Sequence, residues 1–261
     1  VRDMYNSLFS NIPFKRRKIK PRELGLTVII DRKFGVKAQE DFLGLVANFI
    51  DIAKIMVGVS ALIKSQTLRE KINIYHQHNV LAFPGGQFLE YVIAKDKVRE
   101  YFSDIIKAGF KLVEVSDNLI DISPDKKCDL IKMAIQEYGL KVLGETGSKK
   151  VSSDIQLLIK DIKECLNCGA WKVMFEAAEL FENGKFKSKI INAISHEIDI
   201  KNIIFELPGP WIPKITVSDI YSLMSWLIEN LGTEVNIANV DPDDILCLEA
   251  ERTNLGVHMK F

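Results

Sequence analysis

Apolar residues come in short runs along this chain. Each run is closed by a polar or charged residue before the spacing changes to that of a helix. Eight runs read as strands: residues 24–30, 51–57, 80–83, 111–115, 141–145, 171–176, 202–205 and 234–238. Between them apolar positions recur every three to four residues, first as Phe42, Leu45, Val46, Phe49 and Ile50, later as Ile155, Leu158, Ile159, Ile162 and Leu166. Helices are also predicted over residues 66–78, 87–108, 124–138, 190–198, 218–231 and 242–252. Ser123-Pro124 supplies one start, the serine as cap and the proline in the first turn. Ser152 or Ser153 is expected to cap another. Residues 182–187 read as a surface turn. Residues 207–213 hold three prolines, which no strand ladder tolerates, so they form a rigid loop.

The pattern repeats. Glu114, Glu145, Glu176 and Glu206 each end an apolar run, at intervals of 31, 31 and 30 residues. Asn79, Gly109, Gly139 and Gly169 precede the runs at steps of 30. Glycine, and less often asparagine, adopts the left-handed conformation that closes a helix. A period of about 30 residues is one strand plus one helix, the unit of a parallel α/β fold. Eight such units in 261 residues imply an α/β protein with a single (β/α)8 TIM barrel, which typically takes about 250 residues. The barrel occupies residues 21–261 behind an N-terminal basic extension, residues 1–20. The runner-up is an open doubly wound sheet, but Asp31-Arg32-Lys33-Phe34-Gly35 does not supply the glycine-rich turn that fold carries after its first strand.

Composition narrows the partners. Lysine plus arginine equals aspartate plus glutamate at 35 each, so no overall field favours nucleic acid or a membrane. No apolar run spans a bilayer. The leader has no apolar core of the kind a secretion signal needs; its Lys15, Arg16, Arg17, Lys18 and Lys20 read as a solvated arm, with a localisation signal or an anion-binding arm as alternatives. Cys165 and Cys168 form a lone CxxC at a helix end, without the second ligand pair of a zinc site. Cys128, Cys165, Cys168 and Cys247 are expected to be four reduced thiols of a cytoplasmic protein, with no disulfide.

Barrel chemistry sits at the C-terminal ends of strands, where this sequence places Asp31, Lys54, Glu114, Asp117, Glu145, Lys149, Glu176 and Glu206. Clustered carboxylates raise one another's pKa or bind a cation, and oxygen-only ligands suit Mg²⁺. The alternative is a buried ion network in which these glutamates pair with Lys54 and other lysines. Gly85-Gly86 after the third strand either lets backbone N–H groups reach a ligand or makes a tight turn. His76, His78, His196 and His258 offer no triad, which leaves a lysine as the expected proton donor.

Several motifs carry a resemblance. Lys20-Pro21-Arg22, Gly25-Leu26-Thr27, Asp31, Ile50-Asp51 with Lys54, and Phe83-Pro84-Gly85-Gly86 open the series. Glu90-Tyr91, Val113-Glu114-Val115-Ser116-Asp117, Glu145 with Gly147 and Lys149, Phe205-Glu206, Val235-Asn236-Ile237-Ala238-Asn239 and Leu248-Glu249 continue it. In order and spacing these resemble the phosphosulfolactate synthases over residues 20–250. The resemblance implies a (β/α)8 barrel that adds sulfite to phosphoenolpyruvate with Mg²⁺ in coenzyme M biosynthesis, a small anionic substrate and a homo-oligomer. With it, Lys149 falls on the family's proton donor and Lys54 joins it as catalytic. Glu114, Glu145 and Glu176 are the expected metal ligands. Gly85, Gly86, Ser116, Asp117, Gly147, Glu206 and Asn239 are the expected substrate contacts.

The chain also departs from the family. After the sixth strand the family has Glu-(Gly/Ala)-Arg-Glu-Ser-Gly; here Glu176-Ala177-Ala178-Glu179-Leu180-Phe181 lacks the arginine and the Ser-Gly turn. Gly58-Val59-Ser60 stands for Gly-Thr-Ser, Asn254-Leu255-Gly256-Val257-His258 for Gly-Leu-Arg-Gly-Asp, and Ser148 for a lysine. An arginine and a glycine-rich turn are groups suited to phosphate. Lys172, Lys185 and Arg252 are candidates to replace the arginine. The alternative function is therefore a homologue that has lost or changed the reaction and serves as a small-anion-binding or structural protein.

Overall fold

The computed structural model describes residues 8–9, 11–148, 153–182 and 185–258. Eight parallel strands form a nearly closed barrel: β1 (Thr27–Asp31), β2 (Ile52–Ile55), β3 (Leu81–Pro84), β4 (Leu112–Val115), β5 (Lys141–Thr146), β6 (Lys172–Phe175), β7 (Ile203–Glu206) and β8 (Ile237–Val240). Their order is β3-β2-β1-β8-β7-β6-β5-β4, so sequence neighbours pair except β3 with β4, and β8 returns to β1. Only the seam between β3 and β4 lacks a ladder, and there the Gly86 N–H donates to the Glu114 carboxylate from across it.

Strand side chains alternate between the two faces of the wall. The outward set packs with the helices into one large apolar core. The inward set fills the barrel with Val28, Ile52, Phe83, Leu112, Leu143, Met174 and Ile204. Two residues further along, the same inward parity delivers Lys54, Glu114, Glu145 and Glu206. The polar layer of the mouth is thus the next layer up from a dry one. Asp31 has the opposite parity. It faces the helix Ser65–Gln77, where Lys71 Nζ lies 2.7 Å from it and the Tyr75 hydroxyl donates to it at 2.8 Å.

Asn79, Gly109, Gly139 and Gly169 all have positive φ, as the repeat requires. Ser123 caps the helix Pro124–Gln136 by accepting from Lys126 N. Other elements differ from expectation. Residues 87–108 form two helices, Gln87–Ile93 and Val98–Ala108, because Asp96 takes a left-handed conformation between them. Asp154, not a serine, caps Ile155–Asn167, since its carboxylate reaches the N–H groups of Gln156 and Leu157. Where a surface turn was expected over residues 182–187, Phe181–Glu182 pairs antiparallel with Lys185–Phe186. β8 begins at Ile237 because the Asn236 side chain replaces the ladder below it, accepting from Leu26 N and donating to Ile203 O.

Two readings of the sequence are corrected. Cys128 and Cys168 form a disulfide, so four free thiols are not what the chain holds; Cys165 is free and buried, Cys247 free and exposed. The helices after β4 and β5 are neighbours around the barrel and bring the two cysteines within 5.4 Å at Cα, across 40 residues of sequence. The basic leader is not solvated throughout. Arg17 pairs with Glu249 in a buried contact, and the Lys20 ammonium donates to Ala47 O, Ile50 O and His78 O at 2.8, 2.6 and 2.9 Å. Among the described residues no helix is long and apolar enough to cross a membrane.

Candidate active site

Four inward residues meet at the C-terminal end of the barrel. Glu114, Glu145 and Glu206 each place a carboxylate oxygen within 4.8 Å of the others, and all three are buried. The Lys54 ammonium sits 3.2 Å from Glu114 and 3.0 Å from Glu206. Three carboxylates thus share one cation. Burial pushes Glu114 up, Lys54 pulls it back, and Glu145 and Glu206 push again, leaving it at about 8. Burial alone would lower Lys54, but the carboxylates of Glu114, Glu206 and Glu145 outweigh it and hold its pKa well above the usual lysine value. Lys54 therefore stays charged and is a poor proton donor. Glu145 Oε1 is buried with no hydrogen-bond partner among the described residues. Three buried carboxylate oxygens this close together suit a small hard cation.

Beside the cluster lies a cavity of about 330 Å³, floored by Lys54 and Glu206 and reached by Gln87, Asn239 and Trp211. Asn239 is held at φ 58°, and its Oδ1 is buried with no partner among the described residues.

The remaining expected residues divide into those that face this mouth and those that support it. Gly86 supports it: a Cβ there would lie 2.6 Å from Ser116 Oγ and 2.8 Å from Glu114 Cγ, so only glycine lets its N–H reach Glu114. Gly85 packs on Val57. The Ser116 hydroxyl donates to Glu90 at 2.5 Å, and Glu90 also accepts from Leu119 N, which fixes the loop after β4. Asp117 is paired at 3.0 Å with Lys127, whose ammonium also holds Asp161 and donates to Glu145 O at 2.7 Å. Gly147 has φ 110° and sits against Glu176 and Glu179. Glu176 is not among the three clustered carboxylates; its Oε1 accepts from Ala178 N, capping a short turn. Glu206 stands in the cluster instead. Lys149 lies outside the described residues.

Three contributors escaped the sequence reading. Glu179, 1% exposed, accepts from Ser148 N at 2.9 Å, Ser153 N at 3.0 Å and the Ser153 hydroxyl at 2.6 Å, so it ties both ends of the loop after β5. Its one sequence signal is the spacing Glu-x-x-Glu from Glu176. Lys127 and Trp211 carry no local signal, because topology alone brings them to the mouth.

The profile of the family described as (2R)-phospho-3-sulfolactate synthase (ComA) matches residues 15–257. The chain belongs to this family. It is 34% identical to the phosphosulfolactate synthase of Methanocaldococcus jannaschii, covering 88% of this chain and 92% of that one. It is 30% identical to that of Methanothermobacter thermautotrophicus, covering 92% of each. Among solved structures, 3-hexulose-6-phosphate synthase superposes with a TM-score of 0.54 at 16% identity, over 87% of this chain and 98% of that one, a likeness of fold. Against the family pattern, neither Lys172 nor Arg252 replaces the arginine lost at Ala178. Lys172 opens β6 at the opposite end and donates to Lys201 O, and Arg252 donates to Thr233 O and Val235 O, also at that end. The Lys185 side chain lies outside the described residues.

Proposed function

We propose that this chain is a phosphosulfolactate synthase that forms a carbon–sulfur bond by adding sulfite to phosphoenolpyruvate, with Mg²⁺ held by Glu114, Glu145 and Glu206. The observation that supports it is the trio of buried carboxylates sharing one ammonium, with one oxygen unpartnered among the described residues. Both substrates are anions, and three carboxylates with one lysine would repel them. A divalent cation reverses that sign, and when bound it supplies Lewis-acid stabilisation of charge on the enolised carboxylate.

The chain's own groups supply the rest. The sulfur lone pair attacks the methylene carbon, and the π electrons move toward the carboxylate. Lys54 offers a fixed positive charge to that developing anion. Gly86 N–H holds Glu114 in place. The neighbouring carbon then takes a proton, for which Lys149 is the proposed donor. Lys54 is too firmly paired to give one up.

A second reading rests on Ala178. Without an arginine there, a homologue that kept the barrel and takes a different small anion is the competing function. One assay separates them: phosphoenolpyruvate, sulfite and Mg²⁺, followed by phosphorus NMR. A new phosphonoxy resonance that disappears with a chelator is the expected result. Folded, Mg²⁺-binding protein that yields no product would favour the second reading.

A further inference from the structure

Trp211 forms one wall of the mouth cavity and has no part in the chemistry above. It lines the cavity with Lys54 and Glu206 and remains 44% exposed. Its loop leaves it little freedom. Pro208, Pro210 and Pro213 fix three φ angles, Leu207 N donates to Ala238 O, and Ile212 N donates to Gly209 O at 3.0 Å. A Cβ at residue 209 would lie 2.2 to 2.4 Å from three carbons of the indole six-membered ring, so the ring folds back onto the one residue that admits it. A large apolar ring kept half in water by a rigid loop, beside a charged floor, presents a face to whatever enters. Met56 and Val57 line the same cavity, so its walls are apolar where its floor is ionic.

Resting on the function proposed above, the geometry points to Trp211 as a specificity-determining residue: its indole packs on one face of a small planar unsaturated acid. Such a substrate has charged oxygens for the floor and a flat, apolar methylene end for the ring. A nucleophile reaches that carbon perpendicular to the plane, so a ring covering one face leaves the other open. Bulkier or tetrahedral acids lose the stacking contact.

The test uses intrinsic fluorescence. The chain has three tryptophans. Trp171 bonds Glu23 through its indole N–H, Trp226 packs on Phe186, and neither lines this cavity. In Trp171→Phe/Trp226→Phe, phosphoenolpyruvate titrated with Mg²⁺ should change the Trp211 emission saturably, at the affinity read by calorimetry on the unaltered chain. Trp211→Ala should raise KM for phosphoenolpyruvate about tenfold with kcat changed much less, and Trp211→Phe should restore most of it, as expected for an aromatic contact. Calorimetric binding with silent Trp211 emission and an unchanged KM in Trp211→Ala overturns this inference and leaves the proposed function standing. No binding of phosphoenolpyruvate at all overturns both. If Trp211→Ala fails to fold by circular dichroism, the Phe variant and the emission titration still decide.

Discussion

The two ends of this barrel handle buried charge in opposite ways. At the N-terminal end each buried cation named above donates to at least one carboxylate or carbonyl, although Arg252 Nε and Nη2 find no partner among the described residues. Arg22 meets Asp51 at 2.9 Å, and Asp51 also accepts from Thr27 N; Lys20 serves three carbonyls and Arg252 two. At the C-terminal end Glu114, Glu145 and Glu206 crowd one lysine, and Glu145 Oε1 and Asn239 Oδ1 have no partner among the described residues. Buried groups left without partners lower stability. What separates the ends is the sign of the excess: three carboxylates around one lysine suit a cation that arrives later, whereas each named cation at the other end already has an oxygen beside it. Substitutions should therefore differ in sign between the ends.

The largest effect is expected at the mouth. Glu145→Gln removes one carboxylate from the proposed Mg²⁺ site and should cut turnover by roughly a thousandfold, the several kcal/mol a Lewis acid contributes. The same change relieves repulsion among three carboxylates, so the metal-free protein should gain about 1 kcal/mol of stability. Urea titration and an activity assay on one preparation read both. Lower stability in the variant would mean the carboxylates belong to a structural ion network. At the other end Asp51→Ala strands Arg22 and Thr27 N–H, and should cost about 3–5 kcal/mol while activity per folded molecule stays within twofold or so. A loss under about 1 kcal/mol would remove the contrast.

A smaller effect comes from pH. The folded pKa of Glu114, about 8, lies above its unfolded value, so the folded state keeps a proton that the unfolded state has already lost. That contribution is fully present below about pH 4.5 and is lost as pH rises toward 8. Between pH 6 and pH 8 metal-free stability should fall by on the order of 3 kcal/mol. Mg²⁺ requires the deprotonated carboxylates, so its stabilising effect should grow over the same window. Melting curves with and without Mg²⁺ at pH 6 and pH 8.5 test this, and an Mg²⁺ effect independent of pH would place the cation elsewhere.

Which parts of the comparison the sequence carried has a physical logic. Repeats with local causes were legible. A left-handed residue every 30 positions marked the strand entries, and a charge at the end of an apolar run marked Glu114, Glu145 and Glu206, with Lys54 marked by its place at the end of the second strand. What depends on parity near a strand end, or on neighbours far apart in the chain, was not. Asp31 is one residue out of phase and faces a helix. Glu176 falls one residue beyond β6, where it caps a turn instead of joining Glu145. Cys128 meets Cys168, and Lys127 meets Asp161, only because consecutive barrel helices are neighbours. The burial of Arg17 and Lys20 likewise depends on Glu249 and on three carbonyls that no local pattern reveals.

The smallest expected effect tests the boundary between the two kinds of end. Glu179 is a buried charge at the mouth, yet it is satisfied like those at the far end, by Ser148 N, Ser153 N and the Ser153 hydroxyl. If it holds the loop after β5 rather than a ligand, removing its charge should act on that loop alone. Glu179→Gln keeps an acceptor oxygen but gives up charge-assisted bonds, which are worth roughly twice neutral ones. Global stability should fall by only about 1 kcal/mol. The effect should appear instead as faster hydrogen exchange at the amides of Ser148 and Ser153, with exchange in β4 and β7 unchanged. Mg²⁺ affinity should stay as it was, because Glu179 is not one of the three clustered carboxylates. A large fall in Mg²⁺ affinity with both amides still protected would put Glu179 among the ligand-facing groups, beside the three clustered carboxylates.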